Sequence, residues 1–112
     1  MTNVKLIKFR FKPGAKRIWI NWSEELKHRN SEVVETLKNE GVISESCFIS
    51  EDGESIYYFM EAEDFEKTRK AVANSIYLID ADHKKARESS LEFVAKLECL
   101  FHFENRTSHF NS

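Results

Sequence analysis

Charged, aromatic and imidazole side chains recur at every second position in three segments of this sequence. Lys8 and Arg10 alternate with apolar residues in the first segment, Tyr57 and Glu61 belong to the second, and His102 belongs to the third. An alternation of this kind places such residues on one face of a sheet. A cation, a phenol, a carboxylate and an imidazole that meet there suit the binding of a small polar or anionic molecule.

The predicted ligand-binding set is Lys8, Arg10, Tyr57, Phe59, Glu61 and His102. The imidazole could also transfer protons, because histidine ionises near neutrality. A second interpretation needs no ligand: opposite charges on neighbouring strands, with Glu98 and Glu104 among them, pair across a sheet without any function. Both interpretations stay open at the level of the sequence.

His83 is the second candidate for chemistry. It lies in a helical pattern, three residues after Asp80 and four before Arg87. It could therefore project over the sheet edge toward a pocket mouth, with Asp80 orienting its ring. The alternative is a histidine with a structural role only. His102 and His83 are the two candidate catalytic residues.

The histidines and cysteines have no spacing that is typical of a metal site. We expect neither a metal nor a cofactor. Both cysteines fall in apolar strand patterns, so we expect free, buried thiols in a reducing compartment. The residues concerned are His28, His83, His102, His109, Cys47 and Cys99.

The elements that would hold these residues follow one another with few residues between them. Apolar alternation predicts strands at 4–12, 42–50, 55–63 and 97–104. Steps of three and four predict helices at about 16–39, from 65 onward and at about 79–93, with interruptions near Asn30-Ser31 and Asn74-Ser75. Asp52-Gly53 predicts a hairpin with a type I′ turn, and Asp64 predicts a helix N-cap.

The order β-α-β-β-α-β predicts an α+β, ferredoxin-like fold. Right-handed crossovers give a four-stranded antiparallel sheet in the order 4-1-3-2, with the helices on one face. We expect a single domain at 1–104 and a flexible tail at 105–112. The helix-facing side would carry Ile7, Phe9, Phe11, Ile43, Cys47, Ile49, Ile56, Tyr58, Met60, Leu97, Cys99, Phe101 and Phe103.

The other face of the predicted sheet is both polar and aromatic. Phe48, Tyr57, Phe59 and Leu100 would form an apolar patch that a monomer rarely leaves in water. We therefore expect a homodimer that pairs through this open sheet face and encloses a cavity, as in a dimeric α/β barrel. The face would carry Leu6, Lys8, Arg10, Ser44, Ser46, Phe48, Tyr57, Phe59, Glu61, Glu98, Leu100, His102 and Glu104.

The chain resembles the dimeric α/β-barrel superfamily, and within it a small bacterial family of unknown function. The resemblance spans residues 4–104. It rests on the segment from Val4 to Gly14 (VKLIKFRFKPG), on Ile56-Tyr57-Tyr58-Phe59-Met60 and on Ile79-Asp80-Ala81-Asp82-His83. Relatives of this superfamily include cofactor-free monooxygenases, sugar mutarotases, haem-handling proteins and pure ligand binders, so the resemblance implies a fold and not an activity.

Composition excludes two classes of partner. Seventeen basic and nineteen acidic residues give a net charge of −2, which favours neither nucleic acid nor an anionic membrane. No signal-peptide pattern or membrane-spanning run is present, so we expect a cytoplasmic protein. Two functions remain: a homodimer that binds a small molecule or is purely structural, and a cofactor-independent enzyme, like a monooxygenase or a mutarotase, with Arg10 as substrate clamp.

Overall fold

The structure, a computed structural model, describes residues 2–106 as four strands and four helices. The remainder of the predicted tail, 107–112, lies outside the described residues. None of the helices in the described part is long and apolar enough to cross a membrane. The elements are β1 (Asn3–Phe11), α1 (Lys16–His28), α2 (Asn30–Glu40), β2 (Val42–Ile49), β3 (Ser55–Ala62), α3 (Phe65–Ala73), α4 (Leu78–Ser90) and β4 (Leu91–Leu97).

The four strands form one open antiparallel sheet in the order β2-β3-β1-β4. This is the predicted order 4-1-3-2 read from the other edge, so the α+β class and the strand order are confirmed. Phe9 pairs with Ile56, and Lys8 pairs with Tyr57. Because side chains alternate along a strand, this register sends Phe9 and Ile56 to one face and Lys8 and Tyr57 to the other.

The helices cover only the face that carries Phe9 and Ile56. Trp19 and Trp22 of α1 are 1% and 7% exposed and form the centre of the core. Burial of two indoles of this size removes several hundred Å² from water, which makes them the main apolar contribution of α1. The core is completed by Ile79, Ala86 and Leu91 around the two strand residues.

Local signals set the helix boundaries much as the sequence predicts. The predicted helix at 16–39 is interrupted, and Arg29 separates α1 from α2. Gly41 ends α2 in the left-handed conformation, with φ of 70°. Asp64 caps α3, because its carboxylate accepts hydrogen bonds from the backbone N–H groups of Glu66 and Lys67.

The β2–β3 hairpin is confirmed, but its predicted type I′ turn is wrong. That turn requires a positive φ at both central residues, and only Gly53 has one, with φ of 76°. The backbone N–H of Gly53 donates to the Ser50 carbonyl instead. The Asp52 side chain accepts from the Ser50 hydroxyl and from the Glu54 N–H, and it stabilises this wider loop.

The predicted position of the fourth strand is wrong. We expected a helix to residue 93 and a strand at 97–104, whereas α4 ends at Ser90 and β4 runs from Leu91 to Leu97. At the junction, the hydroxyls of Ser89 and Ser90 donate to the carbonyls of Lys85 and Ala86 one turn earlier, and such local bonds compete with a continued helix. The apolar run from Leu91 then pairs with β1, starting at Phe11.

This shift overturns several predicted burials. Phe101 and Phe103, expected to face the helices, are 72% and 85% exposed, and Leu97 instead lies opposite Leu6 on the uncovered face. Cys99 is exposed as well, so its predicted burial is wrong, and Cys47 is exposed as a residue although burial of its thiol raises the pKa of that group. The residue Cys47 is exposed because it lies on β2, which is an edge strand of the sheet.

Replacing Asp64 by alanine tests the capping of α3. Two backbone N–H groups would lose their acceptor, which costs about 1 kcal/mol of unfolding free energy. Urea denaturation measures the change, with Glu63→Ala at the neighbouring exposed position as the control. Equal stabilities of the two variants would contradict the capping role.

Candidate functional site

The open sheet face, defined here by Leu6, Lys8, Arg10, Phe48, Tyr57 and Phe59, is the predicted site. No helix covers it, and Phe48 is 58% exposed. Cross-strand pairing places Tyr57 between two neighbours: Lys8 of β1 on one side and Phe48 of β2 on the other. The predicted arrangement of cations beside aromatic rings is therefore present on this face.

Lys8 and Arg10 occupy one end of the face. The Lys8 ammonium lies 5.8 Å from the centroid of the Tyr57 ring. The Arg10 Nε is 3.1 Å from a carboxylate oxygen of Glu92 on β4. Both cations line an open groove of about 330 Å³, together with Glu54, Ser55, Val94 and Phe11.

Glu61 occupies the other end and is the centre of a polar cluster. It is 3% exposed, and the Arg106 guanidinium lies 2.7 Å from its carboxylate. The hydroxyls of Thr2 and Ser44 donate to the same carboxylate at 2.7 and 3.0 Å. The Arg106 contact, supported by these two donors, lowers the pKa of Glu61 to about 2.

His102 belongs to the Glu61 end and not to the Lys8 end. Its Nε2 atom is 3.4 Å from Glu104 and 3.8 Å from Glu61. The prediction that His102 lies near Arg10 is therefore wrong, because β4 ends at Leu97 and His102 lies in the segment beyond it. Val4, opposite Glu61, is separated from Lys8 by four residues, or about 13 Å of strand.

The predicted set thus splits into two groups. Lys8, Arg10 and Tyr57 form one group, and Glu61 and His102 form the other. Phe59 lies between them, opposite Leu6. Sequence reasoning missed Arg106, since an arginine in a polar terminal segment carries no signal of a buried partner.

The Glu61 end has ligands for a metal ion, but its carboxylates already contact a cation. Donor atoms of Glu61, His102 and Glu104 lie within 4.8 Å of one another. The Arg106 guanidinium, however, contacts both carboxylates, at 2.7 and 3.9 Å. The hydrogen bonds of Thr2 and Ser44 use further lone pairs of Glu61, so the cluster is explained as an ion-pair network that fastens the segment after β4.

His83 lies on the opposite side of the sheet, among the helices. The Trp22 indole N–H donates to its Nδ1 atom at 2.9 Å, and its Nε2 atom is 3.3 Å from the Tyr58 hydroxyl. Burial, followed by the charge of Arg87, lowers the pKa of His83 to about 4. His83 and Arg10 are on different faces, so an enzyme site that combines the two is not assembled.

The expected pairing of Asp80 with His83 is wrong as well. The Asp80 carboxylate accepts hydrogen bonds from the hydroxyls of Thr36 and Ser75. The Thr36 hydroxyl also lies 3.3 Å from a carboxylate oxygen of Glu40, which is 7% exposed. Burial and the nearby charges of Asp80 and Glu45 raise the pKa of Glu40 to about 7.

A helix-side cluster of Trp19, Trp22, Glu45, Cys47, Tyr58 and His83 completes the polar groups of this region. The Tyr58 hydroxyl donates to the Glu45 carboxylate. The sequence does contain a signal for it, because Glu45 stands between Ile43 and Cys47 at a helix-facing position of β2. Sequence reasoning did not use that signal.

Comparison with known proteins identifies one family. A model described as a family of unknown function (DUF6176) matches residues 2–108. No curated protein matches the chain. The geometry of the chain is therefore the basis for any statement about its function.

Replacing Arg106 by alanine tests the Glu61 cluster. The pKa of Glu61 is below its unfolded value, so the cluster stabilises the protein above about pH 4.5 and loses that effect as the pH falls toward 2. Without Arg106 the pKa of Glu61 rises, and stability falls at pH 7 more than at pH 3. Urea denaturation at both pH values measures this, with Arg69→Ala, an exposed pair with Glu66, as control. Equal losses at both pH values would contradict the assignment.

Replacing Glu40 by glutamine tests a buried acid whose effect on stability has the opposite pH dependence. Its folded pKa is raised, so the native state holds a proton that the unfolded state releases between about pH 4.5 and 7. Stability therefore falls as the pH rises through this range. The Glu40→Gln variant should lack this fall and exceed the parent protein in stability at pH 8. Glu35→Gln, on the exposed side of α2, is the control, and an unchanged pH slope in Glu40→Gln would refute the prediction.

Proposed function

We propose that this chain, which belongs to the DUF6176 family of unknown function, forms a homodimer through the open sheet face and binds a small anionic molecule there. The supporting observation is a sheet with helices on one face only and with cations beside aromatic rings on the other. A cofactor-independent enzyme activity at this face has less support, because His83 lies on the other side of the sheet and His102 lies at the far end of the face from Arg10.

The apolar part of the open sheet face favours a second copy as the occupant. Phe48 projects from the face with more than half of its surface in water, and Leu97 is 37% exposed beside Leu6. An uncovered aromatic patch of this kind is unusual in a protein that stays monomeric. A two-fold axis through the face would pair the same residues from each copy, so a single surface completes the assembly.

The segment after β4, at the Glu61 end, adds further apolar surface. Leu100 is 83% exposed, and the rings of Phe101 and Phe103 stack at 5.2 Å while remaining exposed. His102 and Glu104, which alternate with them, are fixed to Thr2 and Glu61. The phenyl rings are thus held outward on an anchored segment, and burial against a second copy would remove them from water.

Charge supports an anionic ligand. Within residues 2–106, Lys8 contacts an aromatic ring and forms no salt bridge, and Arg10 forms one salt bridge, with the partly exposed Glu92. Two-fold pairing would bring these cations toward those of the second copy. An anion between the two sets would relieve their repulsion, and the groove of about 330 Å³ beside them is of ligand size.

Sedimentation at micromolar concentration tests the dimer. The parent protein should sediment with twice the mass of one chain, and Phe48→Glu should be monomeric because it buries a charge in the interface. Ile76→Glu is the matched control, since Ile76 is 94% exposed in the α3–α4 connection. A monomeric parent protein, or a dimeric Phe48→Glu variant, would show that the open face does not pair copies.

Thermal denaturation with benzoate tests the anion site. Benzoate combines a carboxylate with a ring that suits Phe48 and Tyr57, and benzamide is the uncharged probe of the same shape. At about ten times its Kd, benzoate stabilises by about 1.4 kcal/mol and raises the Tm by about 5 °C in a domain of this size. Lys8→Ala should lose this rise and Lys38→Ala should keep it. An equal rise with benzamide would refute an anion site.

A further inference from the structure

The groove beside Lys8 and Arg10 contains charges of both signs. Its lining includes these two basic side chains and one acidic side chain, Glu54. Within residues 2–106, neither Lys8 nor Glu54 forms a salt bridge, although both face the same space. The groove therefore offers a cation and an anion that do not neutralise one another.

The strand register sets the order of these three charges along the groove. Arg10 lies opposite Ser55, and Lys8 lies opposite Tyr57, so the two cations are two residues apart, or about 7 Å of strand. Both side chains are long, so they can contact two acidic groups of one small molecule. Glu54 directly precedes Ser55 and therefore lines the groove at the Arg10 end.

Arg10 keeps most of its hydrogen-bonding capacity. A guanidinium has five N–H donors, and within residues 2–106 only the Nε donor of Arg10 is used, by the Glu92 carboxylate. The N–H groups on its two terminal nitrogens have the planar geometry that holds a carboxylate through two parallel hydrogen bonds. Arg10 can therefore bind a second carboxylate while it contacts Glu92.

Glu54 differs from the acidic residues beside it, because those are engaged. The Asp52 carboxylate accepts hydrogen bonds from the Ser50 hydroxyl and from the backbone N–H of Glu54, and Glu92 contacts Arg10. The carboxylate of Glu54 accepts no hydrogen bond within residues 2–106. Its charge repels a plain dianion in the groove and attracts an ammonium group.

We propose that the ligand of this groove is a small α-amino dicarboxylate, a molecule with two carboxylates and one ammonium group. The ammonium contacts Glu54, the neighbouring α-carboxylate contacts Arg10, and the distal carboxylate contacts Lys8. Such a ligand has a net charge of −1 and fits a groove of about 330 Å³. This inference rests on the proposed function, since it names the class of anion for the same groove.

Calorimetric titration at pH 7 and low salt with three matched probes tests the ligand class. L-Glutamate carries all three charged groups, L-glutamine lacks the distal carboxylate, and glutarate lacks the ammonium. L-Glutamate should bind about threefold more tightly than either analogue, because one exposed ion pair contributes roughly that factor. Glutarate or L-glutamine with the affinity of L-glutamate would overturn the proposal.

Glu54→Gln tests the ammonium contact through effects of opposite sign. The variant should bind L-glutamate more weakly, because the ammonium loses its partner, and should bind glutarate more tightly, because a repulsive charge is gone. Glu51→Gln is the matched control, an exposed carboxylate of the same hairpin loop that does not line the groove. Equal changes for L-glutamate and glutarate in Glu54→Gln would contradict the contact.

Lys8→Ala tests the distal carboxylate contact. It should abolish the preference for L-glutamate over L-glutamine and keep the preference for L-glutamate over glutarate, and a retained first preference would contradict the contact. Benzoate separates this inference from the proposed function. If benzoate binds the parent protein and L-glutamate binds no more tightly than its two analogues, only the amino dicarboxylate is refuted. If neither benzoate nor L-glutamate binds, the anion site itself is refuted.

Discussion

The pairing of β1 with β3 is the constraint on which both faces of the molecule depend. Side chains alternate along a strand, so the register that places Phe9 opposite Ile56 also places Lys8 opposite Tyr57. A slip of one residue would bring Lys8 and Arg10 of β1 into the core. The burial of Trp19 and Trp22 against Phe9 and Ile56 opposes such a slip, because it would expose the largest apolar contacts of the fold.

This register also separates charges across the sheet. Lys8 and Arg10 of β1 face outward with the aromatic rings of β2 and β3, whereas Lys5 lies over the Phe65 ring on the helix side, where Glu40, Glu45 and Asp80 also gather. Each side therefore has its own chemistry: the open sheet face carries cations beside aromatic rings, and the helix-side cluster combines a carboxylate, an imidazole and a phenol. The single sheet between them keeps the two sets from neutralising one another.

The parts of the fold that follow from local signals could be predicted from the sequence. The alternation of β1 and β3, the cap at Asp64 and the stop at Gly41 each depend on residues within one turn or one strand. The last strand could not be placed in this way. Residues 91–97 form a short apolar run that fits a helix end or a strand, and only pairing with β1 decides between them.

The candidate site was predictable in part for the same reason. The face shared by Lys8, Tyr57 and Phe59 follows from period-two alternation. The salt bridge of Arg106 with Glu61 and the bond of Trp22 with His83 join residues far apart in the chain, at 2.7 and 2.9 Å, and no spacing encodes them. Glu45 was visible as a charged residue in a helix-facing position, which is a local conflict between polarity and burial.

The most direct test of the central claim is an NMR measurement of contacts between copies in a sample that mixes isotope-labelled and unlabelled protein. If the uncovered face joins two copies, filtered spectra should contain intermolecular contacts of the Phe48 and Phe59 rings and none of the core ring of Phe9. Spectra with no intermolecular contact at Phe48 or Phe59, at concentrations where the protein is dimeric, would contradict the account.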